Sequence, residues 1–155
     1  MIDKILYPTD FSKASQAALP ILLDLAKRYR AEVHVLHAVE LHSEFLVDDG
    51  YMIPLLITYP IEQEKLAEYA GKRLDEFVQE HLPDLRESVK KVVVVGKPFV
   101  EIVQYAKEQG IDLIVIGTHG HSALGSVLLG SVAEKVVHKA HCAVLTVRHP
   151  DHKPE

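Results

Sequence analysis

The chain has 155 residues, enough for one domain around one core. Its composition, 48% hydrophobic and 25% charged, is that of a globular protein and leaves disorder to the ends. A net charge of −5 argues against a general nucleic-acid binder, which needs a basic face for backbone phosphates. Cys142 is the single cysteine, so neither a disulfide framework nor a four-ligand zinc site can be built within one chain. Its place in the apolar run Cys142-Ala143-Val144-Leu145 reads as a small buried hydrophobe, with a reactive thiol as the alternative. The opening Met1-Ile2-Asp3-Lys4-Ile5 does not read as a signal peptide. No window reaches the roughly 18 consecutive apolar residues of a membrane span, so the expected location is cytoplasmic.

Ile2 to Tyr7 is a short, mostly apolar run stopped by Pro8, the pattern of a buried strand. Thr9-Asp10-Phe11-Ser12 follows with side chains that can cap a helix. Ala18, Leu22, Leu25 and Tyr29 recur on one helix face, and Pro20 is expected to kink that helix or perturb its early turns. Glu32 to Val39 is the second strand. Residues 40–60, with Asp48-Asp49-Gly50, Pro54 and Pro60, lack clear periodicity and read as a variable loop or insertion with room for a helical turn. The apolar stretch Tyr51 to Tyr59 within it calls for cover from the sheet edge or from a partner. Leu66, Ala70, Leu74 and Phe77 mark a long amphipathic helix from Ile61 to His81, with Pro83 beyond its end.

Ser88 to Val95 carries the third strand, ending at Gly96. Pro98 suits a first helical position, Phe99, Ile102, Val103 and Ala106 form the buried stripe, and Gly110 supplies the stop. Asp112 to Ile116 is the fourth strand, and a Gly-rich loop runs from Gly117 to Gly130. The last helix buries Ala133, Val136, Val137 and Ala140, and Ala143 to Val147 is the fifth strand. Residues 1–149 form one domain and 150–155 a polar tail. Strands too apolar to face water, alternating with helices, predict an α/β fold: an open five-stranded parallel sheet with helices on both faces. Such a sheet has a switch point, with a ligand crevice at the carboxyl ends of the strands.

The most informative stretch is Gly117-Thr118-His119-Gly120, nine residues, then Gly130-Ser131-Val132. It follows a strand and opens a helix, whose first N–H groups lack intrahelical partners and whose dipole is positive there. That is a ready site for phosphate oxygens. Gly117, Gly120 and Gly130 would let the backbone approach a ligand or adopt positive φ, and Ser131 adds a hydroxyl. Neither a P-loop nor a G-x-G-x-x-G fingerprint is present: Gly125 and Gly130 have the P-loop spacing, but Ser131-Val132 stands where Lys-Ser/Thr belongs. As a bare strand–loop–helix the segment is either a phosphate site or an ordinary βα loop.

With Lys4-Ile5-Leu6-Tyr7-Pro8-Thr9-Asp10-Phe11-Ser12, Leu36-His37-Ala38, Val95-Gly96-Lys97-Pro98, Glu101-Ile102 and Asp112 through Gly120, these motifs run along most of the chain. Together they resemble the ATP-binding branch of the universal stress protein family. The 40–60 segment lies outside the resemblance. The resemblance implies a Rossmann-like fold of the adenine nucleotide alpha hydrolase-like kind. It also implies ATP, with Mg²⁺, as ligand. Pro8, Thr9 and Asp10 would line the adenosine pocket, with Asp10 near the ribose, and Ala38 would meet the adenine through its backbone. Gly117, His119 and Gly120 would approach the ribose and first phosphates, and Gly130, Ser131 and Val132 the β- and γ-phosphates. Members that lack these glycines do not bind ATP, and this sequence keeps them all. Ala38 is smaller than the valine common there, which would loosen the adenine fit. A homodimer is implied too, paired through Ala143 to Val147, an apolar edge that otherwise invites aggregation.

Asp10 can be read as a helix cap or as a ribose and metal contact. His34 and His37 are an odd number apart on a strand and point to opposite faces. His138 and His141 sit where a helix C-terminus favours cations, so the ten histidines do not call for a metal site. His119 and His121 read as phosphate-loop or solvent-facing residues, and Lys135 as a phosphate contact or a solvated side chain. The expected function is a nucleotide-responsive regulator in stress response, in which ATP orders the 117–130 loop and the 40–60 segment. Slow ATP hydrolysis or self-phosphorylation is one alternative, but the loop offers neither a Lys or Arg nor a general base for it. An interaction module that regulates a partner such as a transporter, with no need for nucleotide, is the other.

Overall fold

The computed structural model describes residues 1–40, 45–48, 51–54, 60–118 and 129–149. Strand β1 (Lys4–Pro8) leads through the short helix α1 (Lys13–Gln16) to helix α2 (Leu19–Tyr29). Strand β2 (Glu32–Val39) follows, then short strands β3 (Phe45–Asp48) and β4 (Tyr51–Pro54) and helix α3 (Pro60–His81). Strand β5 (Lys90–Val95), helix α4 (Pro98–Gln109), strand β6 (Leu113–Gly117), helix α5 (Ser131–Lys139) and strand β7 (Ala143–Val147) complete the order. The main sheet runs β5-β2-β1-β6-β7 with every pair parallel, which is the expected five-stranded doubly wound sheet. Successive strands are laid outward from β1 first one way and then the other, so the switch point lies between β1 and β6.

Alternation along the strands sorts the core into two layers. Ile5, Tyr7, Val33, Val35, Leu113 and Val115 meet Leu22 and Ala26 of α2 and Leu74 and Phe77 of α3 on one face. Leu6, Leu36, Ile114 and Ile116 meet Ile102 and Ala106 of α4 and Ala133 and Val136 of α5 on the other. Both faces of every central strand are thus removed from water, which is why these runs are continuously apolar.

Three local expectations change. Pro20 does not kink a helix: the chain leaves α1 at Ala17 and restarts at Leu19, so Pro20 falls in the first turn of α2, where a missing N–H leaves no acceptor unpaired. Ala18 and Leu22 are buried as the stripe predicts, but Tyr29 is exposed at the last turn. Leu66 and Val137 are likewise exposed at the margins of their helix stripes. The 40–60 segment holds no helical turn among its described residues before α3 begins at Pro60. β3 and β4 pair antiparallel as a separate two-stranded sheet, Phe45 opposite Pro54 and Asp48 opposite Tyr51. Asp49-Gly50 between them is a two-residue hairpin signal. The rest of that segment and the 150–155 tail lie outside the described residues. The α4 stop is as expected, with Gly110 at φ 64° and ψ 46°.

Candidate functional site

The carboxyl end of β1 is shaped by a run of short side-chain bonds. Thr9 N–H donates to the Leu36 carbonyl (2.9 Å), the last ladder bond between β1 and β2. Asp10 Oδ1 then accepts the Ser12 N–H (2.9 Å) and the Ser12 hydroxyl, closing a tight turn. Inside that turn Phe11 takes φ 64°, rare for a bulky residue. Ser12 caps α1 by accepting the Ser15 N–H (3.1 Å), so the capping role open to Asp10 falls to Ser12. Thr9 Oγ1 accepts the Phe11 N–H (3.0 Å) and shares a hydrogen with Ser15 Oγ (2.9 Å). Asp10 therefore orients the turn as well as facing the crevice.

At the end of β6 the glycine serves packing. A Cβ on Gly117 would lie 2.5 Å from the Ala14 carbonyl oxygen and 2.9 Å from Ser15 Cα, so only glycine lets α1 cross this strand end. Neither Gly117 nor Gly130 takes positive φ; Gly130 is extended, at φ −63° and ψ 150°. Positive φ occurs instead at Gly96 and Gly110. Thr118 N–H donates to Val147 O (3.0 Å) and Thr118 O accepts the Gly130 N–H. The start of α5 is thereby tied to the end of β6. The N–H groups of the first turn of α5, at Ser131 and Val132, have no intrahelical acceptor, and Gly130 brings no side chain to cap them.

These two strand ends enclose a cavity of about 440 Å³, within the roughly 300–1,000 Å³ of small-molecule sites. Pro8, Thr9, Asp10, Ala38, Gly117, Gly130, Ser131 and Val132, all singled out from the sequence, line it together. His119 and Gly120 lie outside the described residues. Sequence reading missed Ser15 and Thr118, which add hydroxyls, and Glu40, which adds a carboxylate beyond β2. It also missed the apolar wall of Leu36, Pro98, Ile102 and Ile116. The signal for Ser15 was its spacing of three from the cap Ser12; for Ile102, its place one turn after Pro98.

Other candidates fall elsewhere. Lys135 Nζ stands 4.9 Å over the Phe99 ring, a cation–π contact, and does not line the cavity. Cys142 packs partly buried against the α4–α5 layer and burial pushes its thiol pKa up, the behaviour of a hydrophobe. His34 meets Tyr105 of α4 while His37 meets Phe11 on the other face, as their spacing requires. Among the described residues no three His, Cys, Asp or Glu side chains gather as a metal site, and no helix is long and apolar enough to cross a membrane.

A doubly wound α/β sheet with a ligand-sized crevice at its switch point defines a class of nucleotide- and cofactor-binding folds. Within that class the universal stress protein family model matches residues 1–148, and the chain belongs to the universal stress protein family. It is 35% identical to a universal stress protein of Methanocaldococcus jannaschii, over 96% of each chain. Among solved structures it is similar to the universal stress protein UspA of Lactobacillus plantarum, with TM-score 0.74, 31% identity, and 95% of this chain and 98% of that one covered. A universal stress protein solved in complex with cAMP has TM-score 0.64, 23% identity, and 95% and 97% covered; that likeness is one of fold.

Proposed function

We propose that the crevice binds ATP with Mg²⁺ and that the chain acts in stress response as a cytoplasmic, nucleotide-responsive homodimer joined through β7. The observation that carries this reading is that Thr9, Asp10, Ala38, Gly130 and Ser131, distant in sequence, line one crevice with the uncapped start of α5. Each part suits a part of ATP. The apolar wall of Leu36, Ile102 and Ile116 suits a base, and the Thr9 and Asp10 side chains suit ribose hydroxyls. The unpaired N–H groups and positive dipole end of α5 suit phosphate oxygens. Asp10 and Glu40 put carboxylates on the lining, so a polyphosphate entering there is favoured with a divalent cation beside it. A fold neighbour solved with cAMP shows an adenine nucleotide in that protein.

A regulator is favoured over an enzyme by what phosphoryl transfer needs. No lysine or arginine lines the crevice among the described residues, and residues 119–128 contain none, so neither supplies the charge neutralisation that phosphoryl transfer needs. The test is to denature freshly purified protein, identify any nucleotide released, and titrate ATP and Mg²⁺ by calorimetry. Micromolar binding that Gly130→Glu abolishes, by placing a negative side chain in the phosphate path, is the expected result. Absence of both nucleotide and heat would overturn the reading.

A further inference from the structure

The ladder between β1 and β2 stops one bond early. In a parallel pair, alternate residues of a strand turn both N–H and C=O to the same neighbour. Leu36 faces β1, since its carbonyl accepts the Thr9 N–H, and Val39 faces β5, since its carbonyl accepts the Gly96 N–H (3.0 Å). Ala38 therefore faces the β1 side, and the next ladder bond would run from Ala38 N–H to the Thr9 carbonyl. Among the described residues no backbone hydrogen bond joins them. The Thr9 carbonyl meets His37 Nδ1 instead, at 2.8 Å. A carbonyl only accepts, so Nδ1 carries the hydrogen.

The His37 ring is held where this requires. Phe11 lies 4.3 Å from it, centroid to centroid. Phe11 is pressed in turn by α3, with the Arg73 guanidinium 4.6 Å over its ring and Phe77 edge-on at 5.5 Å. The left-handed backbone at Phe11 turns its side chain to this face of the sheet, while Thr9 and Asp10 line the crevice. The result is that Ala38, at the crevice wall, has its N–H and C=O side by side beyond the last β1–β2 pair, Pro8 and Leu36, with no strand opposite among the described residues. That pair matches an edge with an acceptor beside a donor, as adenine presents at N1 and N6. It repels the reversed pattern of hypoxanthine.

We propose that His37 is a positioning residue for base recognition: its bond holds the Thr9 carbonyl out of line with the Ala38 N–H, and so leaves the Ala38 N–H and C=O free to read an adenine edge. The base-reading half rests on the nucleotide reading above; the hold on Thr9 itself does not. His37→Phe keeps a ring against Phe11 but lacks the donor, and His37→Asn puts an amide N–H near the Nδ1 position. The experiment measures Ala38 amide exchange by NMR without nucleotide, and the affinities for ATP and ITP by calorimetry, in wild type and both variants. The expected results are fast Ala38 exchange in wild type and His37→Asn and slowed exchange in His37→Phe. Alongside, His37→Phe shows ATP binding about tenfold weaker, the scale of one hydrogen bond, and a collapsed ATP-over-ITP preference, while His37→Asn keeps that preference. Unchanged exchange together with an unchanged ATP-to-ITP ratio in His37→Phe would overturn the inference. Wild type that binds neither nucleotide would sink the nucleotide reading and the base-reading half with it, and amide exchange would then decide alone whether His37 withholds Thr9 from Ala38.

Discussion

The Tyr7 hydroxyl donates to the Ser15 backbone carbonyl at 2.9 Å, tying the buried middle of the fold to the α1 turn that borders the crevice. Tyr7 is fully buried and its ring stacks on Phe77. Burial pushes its pKa from 10.0 up to about 12. Tyr7→Phe should keep the stacking and lose the donor. The Ser15 carbonyl still accepts the Ala18 N–H (3.2 Å), so the cost is that of one ordinary hydrogen bond, about 1 kcal/mol, read from the urea midpoint. The alkaline limb gives a second readout. Between 10 and about 12 the unfolded phenol is ionised and the folded one is not, so stability present below that window falls as pH rises through it. Wild type should lose up to about 1.4 kcal/mol per pH unit more than Tyr7→Phe there.

Gly117→Ala tests the packing role assigned to that glycine. The added methyl meets backbone, the Ala14 carbonyl at 2.5 Å, which cannot rotate away as a side-chain tip would. α1 has to move, at a cost on the order of 1–3 kcal/mol for overpacking. Because α1 carries Ser15, and Ser15 holds Thr9 Oγ1, ATP affinity should fall with stability. Stability lost without any change in ATP affinity would show that α1 can shift without disturbing the crevice.

The sheet was legible because each strand is apolar on both faces and each helix between carries a clear stripe or stop, as at Gly110. The crevice followed from the topology, since a strand order reversing at β1 brings Thr9 and Ser131 together although they are far apart in sequence. What escaped was set by tertiary contact. Gly117 reads in sequence as loop freedom, and only the crossing of α1 shows that it is space for a carbonyl. Pro20 looked like a kink because the Ala18 to Tyr29 stripe runs on through a break that only backbone geometry reveals. β3 and β4 escaped because two four-residue strands give too short a run for period-two alternation to stand out, despite Asp49-Gly50 between them. His37 reads as a polar residue on a strand, and its bond to Thr9 depends on where β1 ends.

Acid should weaken the fold through two histidines. His34 is buried, its Nε2 donating to Glu32 (2.9 Å) and its Nδ1 meeting the Tyr105 hydroxyl (2.8 Å). Burial lowers its pKa below the ordinary 6.5 although Glu32 pulls the other way. His37 is lowered as well, by burial and by Arg73, against the pull of Thr9 O and Asp10. With folded values below unfolded ones, the unfolded chain takes up protons first. Stability is therefore full above 6.5 and falls as pH drops through the folded values. Urea midpoints at pH 7.5, 6.5 and 5.5 should decline, and His34→Phe should flatten part of that slope. A slope unchanged in His34→Phe would assign the acid loss to other groups.

The proposed homodimer turns on which backbone groups β7 leaves outward. Val147 faces β6, since its carbonyl accepts the Thr118 N–H, so Leu145 and Ala143 face β6 too. Val144 and Thr146 then point their N–H and C=O away from the sheet, at its edge. Proline at an outward position removes a donor that the sheet itself does not use, whereas proline at Leu145 removes one that the β6 ladder needs. Thr146→Pro should keep the monomer fold with a cost of about 1 kcal/mol or less and shift sedimentation from dimer to monomer mass. Leu145→Pro should cost clearly more folding stability than Thr146→Pro, because it breaks a ladder bond to β6. A Thr146→Pro protein that still sediments as a dimer would move the subunit contact away from the β7 edge, to another face of the domain.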